Sequence, residues 1–234
     1  MTIVFSGMLY STCLAYIDNI IIFGRTFEEH LNRLEQALNR LRSANLKLKL
    51  SKCAFGKRSV EFLGHIISKL GISTDPEKVK RIQERPRPRN VTELRALFGY
   101  ASYCRKFIRG FAHVDPLNKL LQKDHPFQWT NSCENAFASF KKAFVEMVTL
   151  AYPDFTKPFI IDTDVSDVGI KAVLLQLNKS SQEQPLAYYS RSLSKPERKY
   201  AVTRKEMLAL VDALRHFPCY LIGKRFNVRN SAHY

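Results

Sequence analysis

The sequence has no Cys-x-x-Cys pair and no Cys/His cluster. Its five cysteines, Cys13, Cys53, Cys104, Cys133 and Cys219, stand far apart. A structural zinc site needs thiolate and imidazole ligands at short spacing, so that class of fold is excluded. The odd count and loose spacing fit reduced thiols in an intracellular protein, not a disulfide framework. The chain also lacks an apolar run long enough to span a bilayer. Its apolar opening is interrupted by Asp18 and has no Lys or Arg near Met1, which speaks against a membrane span and a secretory signal. The opening reads instead as a chain that starts inside a domain. Acidic residues are scarce as well: 21 Asp and Glu face 37 Lys and Arg, a net charge of +16. Such an excess points to a polyanionic partner, nucleic acid first and an acidic membrane surface second. No helical pattern joins a strong apolar face to a wholly basic one, which removes the membrane surface.

What is present suffices for packed cores. Of the 234 residues, 45% are hydrophobic and 12% aromatic, and the length suits one or two domains. The charge is uneven. Between Arg25 and Arg109 stand 20 basic and 8 acidic residues, so +12 of the +16 belongs to this stretch.

The stretch from Cys13 to Phe23 sets one carboxylate in an apolar run. Two short β-runs around the polar dipeptide Asp18-Asn19 predict a hairpin turning there. Two readings of Asp18 stay open. Asp and Asn are common turn formers, while a carboxylate held out on a rigid hairpin suits a divalent metal, which needs oxygens fixed in position.

Along the chain, Met1 to Thr12 reads as the end of a helix. Thr26 with Glu29 three residues on predicts a capped helix, with Leu31, Leu34, Leu38 and Leu41 on its apolar face. Leu46, Leu48 and Leu50 alternate with Lys47, Lys49 and Ser51, which predicts a half-buried strand. Val60 to Ile67 reads as two strands around Gly64, with His65 structural. Asp75-Pro76-Glu77 opens a helix, and Arg85-Pro86-Arg87-Pro88-Arg89 ends it as a linker. Asn90 with Glu93 caps the next helix, whose apolar face runs from Leu94 to Ile108. Arg95, Tyr100, Arg105, Lys106 and Arg109 lie off that face, either as a solvated basic surface or as a contact for phosphates and sugars.

Pro116 to Lys123 predicts a short helix, and a helix from Thr130 carries Ala136, Phe137, Phe140 and Phe144 as core. After a loop between Pro153 and Pro158 the pattern changes. Strands are expected over 159–165, 170–176 and 186–190, then a helix over 205–217 and a fourth strand from Phe226. Asp164 falls in the first of these strands and Glu206 in the first turn of the helix. A carboxylate buried in a strand is expensive unless paired or bound to a metal. One on a strand and one on the adjoining helix can build a two-metal phosphodiester site. The alternatives are a turn role for Asp164 and a capping box of Glu206 with Thr203.

Together these motifs resemble the Pol polyprotein of gypsy-type long-terminal-repeat retrotransposons. Tyr16-Ile17-Asp18-Asn19 is similar to the polymerase motif, usually Tyr-x-Asp-Asp. Glu61 to His65 resembles the primer grip, and Glu93 to Ile108 the thumb. Asp162 to Ile170 and Tyr189 to Ser194 resemble the tethered ribonuclease H. The resemblance implies an α+β architecture: the C-terminal part of a palm over 1–72, a helical thumb and connector over 73–126, and a ribonuclease H-like mixed-sheet domain over 127–234. It implies RNA-directed DNA polymerase and hybrid ribonuclease activity with Mg²⁺, and RNA/DNA hybrid, primer–template duplex and deoxynucleotides as partners, with room for a partner subunit. Asp18, Asp164 and Glu206 would be catalytic metal ligands. Phe62, Leu63 and Gly64 would hold the primer end, and Arg95, Arg105, Lys106 and Arg109 the duplex. Two departures stand out. Asn19 replaces the second motif aspartate, and Ser231 stands where a third ribonuclease carboxylate is expected. Both sites are therefore expected to be impaired, and a non-catalytic nucleic-acid-binding relic is the alternative.

Overall fold

The computed structural model describes residues 1–109, 115–122 and 126–230, and the chain divides into two units, Met1–Lys69 and Leu70–Tyr234. In the first unit, β1 (Cys13–Tyr16) and β2 (Asn19–Ile22) form an antiparallel hairpin. Helix α1 (Phe27–Ser43) follows, then the hairpin of β3 (Ser59–Phe62) and β4 (His65–Ser68). The predicted cap of α1 forms: the Glu29 amide donates to Thr26 Oγ1 at 3.1 Å, and the Glu29 carboxylate accepts from the Arg25 amide at 2.6 Å. Arg33 pairs with Glu29 at 2.6 Å and donates to the Phe23 carbonyl at 2.8 Å, which ties the helix to the end of β2. The core of this unit is small: Phe5, Met8, Cys13, Ala37 and Leu41.

Three expectations change here. Met1 to Thr12 is a succession of turns, because Tyr10 lies at φ +67 and leaves the right-handed helical region. The alternating leucines 46–50 make no strand. Alternation supplies a face but not a partner, no described segment pairs with this one, and Leu50 is 72% exposed. The apolar face of α1 is covered at one end only, with Leu41 buried and Leu31 exposed.

In the second unit, β5 (Gly71–Thr74) bridges to Leu150 through paired backbone bonds of 2.8 and 2.9 Å between Ile72 and Leu150. The approach is so close that a Cβ on Gly71, at φ +137, would meet the Leu150 carbonyl oxygen at 2.1 Å. Helices α2 (Pro76–Gln83), α3 (Val91–Cys104), α4 (Asp115–Lys119) and α5 (Asn131–Val145) share one core. The Asn90 cap forms as predicted, bonding the Glu93 amide at 2.9 Å, and Asp75 caps the helix it opens by bonding the Glu77 amide at 3.0 Å. Leu94, Leu97, Phe137, Phe140 and Phe144 fill this core, with the Phe140 and Phe144 rings 4.9 Å apart. Lys123, the expected end of α4, lies outside the described residues.

A four-stranded sheet follows in the order β8–β7–β6–β9, built from β6 (Phe159–Val165), β7 (Gly169–Leu177), β8 (Glu183–Ser192) and β9 (Phe226–Asn230). β6–β7 and β7–β8 are antiparallel, while β9 joins β6 in parallel, as a crossover through helices requires. Those helices are α6 (Val202–His216) and the short α7 (Pro218–Leu221). Phe159, Ile161, Leu174, Ala213 and Phe217 pack between sheet and helices. Pro185, which has no amide to donate, sits on edge strand β8 at the register shift beside Leu174/Leu175. Buried Gln176 holds the loop before β6, accepting from the Asp154 amide at 2.9 Å and donating to its carbonyl at 2.8 Å.

Candidate functional site

The first hairpin turns one residue earlier than the sequence predicts. Tyr16 pairs with Asn19, so the two loop residues are Ile17 and Asp18, and Asn19 already belongs to β2. Ile17 stands at φ +54 and is exposed. A β-branched residue in the left-handed region is strained, and such strain persists where surrounding structure imposes it. The result is a carboxylate at the tip of the turn. The Asp18 side chain is exposed and makes no hydrogen bond or ion pair among the described residues.

The β3–β4 hairpin has the same two-residue construction. Phe62 pairs with His65, and the loop is Leu63 at φ +50 and Gly64 at φ +73. Positive φ at both positions matches the right-handed strand twist that tight hairpins need. Leu63 is pushed outward, 41% exposed. Phe62, Leu63 and Gly64 thus form a projecting tip, with Gly64 where its freedom is needed.

The basic segment divides where one continuous face was expected. Helix α3 stops at Cys104, and Arg105–Phe107 is a tight 3-10 turn. Phe107 and Ile108 go into the interior beyond the helix, which forces the chain off the helical path. Arg95 and Arg109 remain exposed. Arg105 instead folds against the sheet and donates to the Ser190 carbonyl on edge strand β8. Burial lowers the proton affinity of its guanidinium, and that of the Lys106 amine. The Lys106 amine lies 5.1 Å from the Phe107 ring centroid.

Asp164 and Glu206 come from elements that pack together, β6 and α6. Their surroundings differ from expectation. The antiparallel register sets Lys171 of β7 directly opposite Asp164, and their charged atoms are 3.7 Å apart. The sequence already held this pairing, since 164 and 171 are equidistant from the β6–β7 turn. Helix α6 begins at Val202 with Ala201 as its cap and no side-chain bond, so Thr203 lies inside the helix and makes no capping box. Glu206 is therefore not in a capping role, and it makes no ion pair among the described residues. Its neighbour Lys205, buried within α6, reaches Asp167 at 3.0 Å.

The other carboxylates of this sheet are tied to arginines. Asp162 takes two bonds from Arg229, at 2.6 and 2.9 Å, and Glu183 takes one at 2.6 Å. Arg191 bridges Asp212 at 2.5 Å and Glu197 at 2.8 and 2.9 Å. That bidentate bond, with the Ser194 amide at 2.7 Å, pulls the Glu197 carboxyl down to about 2. Ser231 lies outside the described residues.

Among the described residues no group of three or more His, Cys, Asp or Glu side chains is gathered as a metal would require. A two-metal centre needs several carboxylates converging without competing cations. Asp18 is suited to be one ligand but stands alone. Asp164 has a lysine ammonium 3.7 Å from one of its oxygens, a charge that competes with a metal there. The residues described do not by themselves fit a two-metal site.

Residues 1–67 match the family described as reverse transcriptase (RNA-dependent DNA polymerase), and residues 129–228 match the RNase H-like domain found in reverse transcriptase. These are families of enzymes that in general depend on divalent metals. The Retrovirus-related Pol polyprotein from transposon 412 of Drosophila melanogaster is 37% identical over 98% of this chain, and that from transposon gypsy 38% over 91%. The Transposon Tf2-7 polyprotein of Schizosaccharomyces pombe is 36% identical over 90%. The chain spans 18%, 21% and 16% of these three relatives' lengths. Among solved structures, the foamy viral protease-reverse transcriptase dRH with double-stranded DNA superposes at a TM-score of 0.87, with 24% identity, over 98% of this chain and 40% of that one. The foamy viral enzyme with RNA/DNA hybrid gives 0.84, over 98% and 31%. The α+β architecture is therefore that of a reverse transcriptase. The chain belongs to the retrotransposon Pol polyprotein family, in the region where the reverse transcriptase and the ribonuclease H-like domain lie in tandem.

Proposed function

We propose that this chain serves RNA-directed DNA synthesis and hybrid cleavage by holding RNA/DNA hybrid and primer–template duplex, and that by itself it is impaired in both reactions. The observation that carries this reading is the state of the carboxylates. Asp18 is displayed alone at a strained turn, and Asp164 is matched with Lys171. Nucleic-acid binding needs neither to hold a metal, since phosphate contacts rest on cations and backbone donors.

In this reading the functional division is palm over 1–72, thumb and connector over 73–126, and ribonuclease H-like domain over 127–234. Phe62, Leu63 and Gly64 press on the primer end as an apolar tip. Arg95 and Arg109 meet phosphates. Asp18 and the pair Asp164 and Glu206 keep the positions of magnesium ligands, and deoxynucleotides are substrates only where further carboxylates complete the first of these sites. A partner subunit is one source of such groups. An intracellular setting suits five widely spaced cysteines, which fit reduced thiols. Among the described residues no helix is long and apolar enough to cross a membrane.

The test is direct. Fluorescence anisotropy should show hybrid binding that weakens as salt rises, while primer extension and hybrid cleavage in Mg²⁺ stay at background. Asn19→Asp should not restore extension, because it brings only a second carboxylate, at the start of β2, beside Asp18. Extension by the unmodified chain or by this single variant would refute the impairment, and absence of hybrid binding would refute the holding role.

A further inference from the structure

The second unit contains a pocket that belongs to neither carboxylate site. It opens at the edge of the sheet, where the end of α3, the turn after it, strand β8 and the last residue of α6 meet. Ser102, Tyr103, Arg105, Lys106, Tyr188, Tyr189 and His216 line it, and its volume is about 190 Å³. None of the seven is a carboxylate. Two are cations, one is an imidazole, and four carry hydroxyls.

Each wall has a structural cause. Edge strands carry unpaired backbone groups that need covering, and Arg105 covers β8 by donating to the Ser190 carbonyl. The Tyr189 ring stacks on His216 with centroids 4.2 Å apart, which fixes the wall formed by β8 and α6. Tyr103 stands at the mouth, 44% exposed, with the Lys78 amine 5.7 Å from its ring centroid. Arg109 lies close enough to Tyr188 to act on its hydroxyl electrostatically.

Positive charge is thus brought together and partly withdrawn from water. Lys106 makes no ion pair among the described residues, and burial disfavours the charged forms of Arg105, Lys106 and His216 alike. A charge removed from water is costly until an opposite charge joins it. The volume falls below the range of about 300–1,000 Å³ typical for small-molecule ligands, so the occupant is a compact anion. The three tyrosine hydroxyls offer donors around it, while the Ser102 hydroxyl already donates to the Phe98 carbonyl at 2.8 Å.

We propose that this pocket is a phosphate-binding site, in which Arg105 and Lys106 supply the charge, the tyrosine hydroxyls supply donors, and the β8 edge fixes the frame. A phosphodiester of a bound nucleic-acid strand and free phosphate share this chemistry. The strand as occupant rests on the nucleic-acid-holding role proposed above; the site for phosphate does not.

The experiment uses the full chain and the variant Lys106→Gln, which removes one of the two cations and leaves the Arg105–Ser190 bond in place. In the first arm, inorganic phosphate is titrated while backbone amide resonances are followed. Shifts confined to residues around Arg105 and Tyr189, lost in Lys106→Gln, are expected. In the second arm, affinity for an RNA/DNA hybrid is measured against salt. Lys106→Gln should weaken binding roughly 3- to 10-fold and flatten the log–log salt slope by about one. Loss of the phosphate shifts with unchanged hybrid binding identifies free phosphate as the occupant, and loss in both arms identifies the strand. No phosphate shifts in the unmodified chain together with an unchanged hybrid slope in the variant overturns the site. A chain that binds no hybrid but shows the shifts keeps the site and refutes only the holding role.

Discussion

The two units solve the same problem, displaying a carboxylate near a β-turn, in opposite ways. In Met1–Lys69 the hairpins are short, the core is five buried residues, and both tight turns carry non-glycine residues at positive φ, Ile17 and Leu63. In Leu70–Tyr234 the sheet is backed by α6, the helices share an aromatic core, and Asp162, Asp164 and Glu197 are tied to arginines and lysines. The difference teaches that a projecting acid stays bare where little surrounds it. Where strands pair on both sides, register delivers a partner to it.

Gly71 gives the largest expected effect. Gly71→Ala would place a methyl on the Leu150 carbonyl, so we expect a loss of about 3 kcal/mol from the second unit, read by denaturant midpoint. Amide exchange in β1–β2 should change little. If the first hairpin opens equally in that variant, the cost is not local to the Gly71–Leu150 approach.

Arg191 comes next. Arg191→Ala strands Asp212 and Glu197 and should cost about 2 kcal/mol. The sign with pH follows from Glu197, whose folded carboxyl is depressed. Its contribution is present above the ordinary value of 4.5 and is lost as pH falls toward about 2. The unmodified chain should lose stability across that window and the variant should lose less of it. Equal acid sensitivity in the two would remove Glu197 from the account.

Ile17 probes the other side of the contrast. Ile17→Gly should relieve left-handed strain and stabilise the first unit by about 1 kcal/mol, measured by hydrogen exchange of β1 and β2. Destabilisation would show that the turn is held by contacts of the isoleucine side chain.

Lys171 gives the smallest effect on stability. Its pairing with Asp164 is half exposed at 3.7 Å, so Lys171→Gln should shift stability by less than about 0.5 kcal/mol. Magnesium binding, weak in the unmodified chain, should rise a few-fold by titration calorimetry. Tight stoichiometric Mg²⁺ binding before the change would contradict the competition between lysine and metal.

Local rules made much of the molecule legible. The caps at Thr26 and Asn90 and the helix starts at Asp75 and Thr130 depend on residues within four positions of each other, and all four form. The hairpin around Gly64 and the strands of the sheet follow from composition and alternation. The failures share a cause. The leucines at 46, 48 and 50 alternate correctly, but a strand exists only with a neighbour. Thr203 and Glu206 have capping spacing, but the helix had already begun at Val202. Arg105 and Lys106 fit a helical basic face, but burial of Phe107 and Ile108 ends the helix first.

The sequence by itself determined the family, the basic field, most of the helices and the strands of the four-stranded sheet, because motifs and short-range bonds are written in adjacent residues. Only the tertiary structure decided that the first turn falls on Ile17 and Asp18, that α6 opens before Thr203, and that Arg105, Tyr189 and His216 meet around one pocket. Those outcomes turn on which distant surfaces become buried against each other, and burial is a property of the assembled chain.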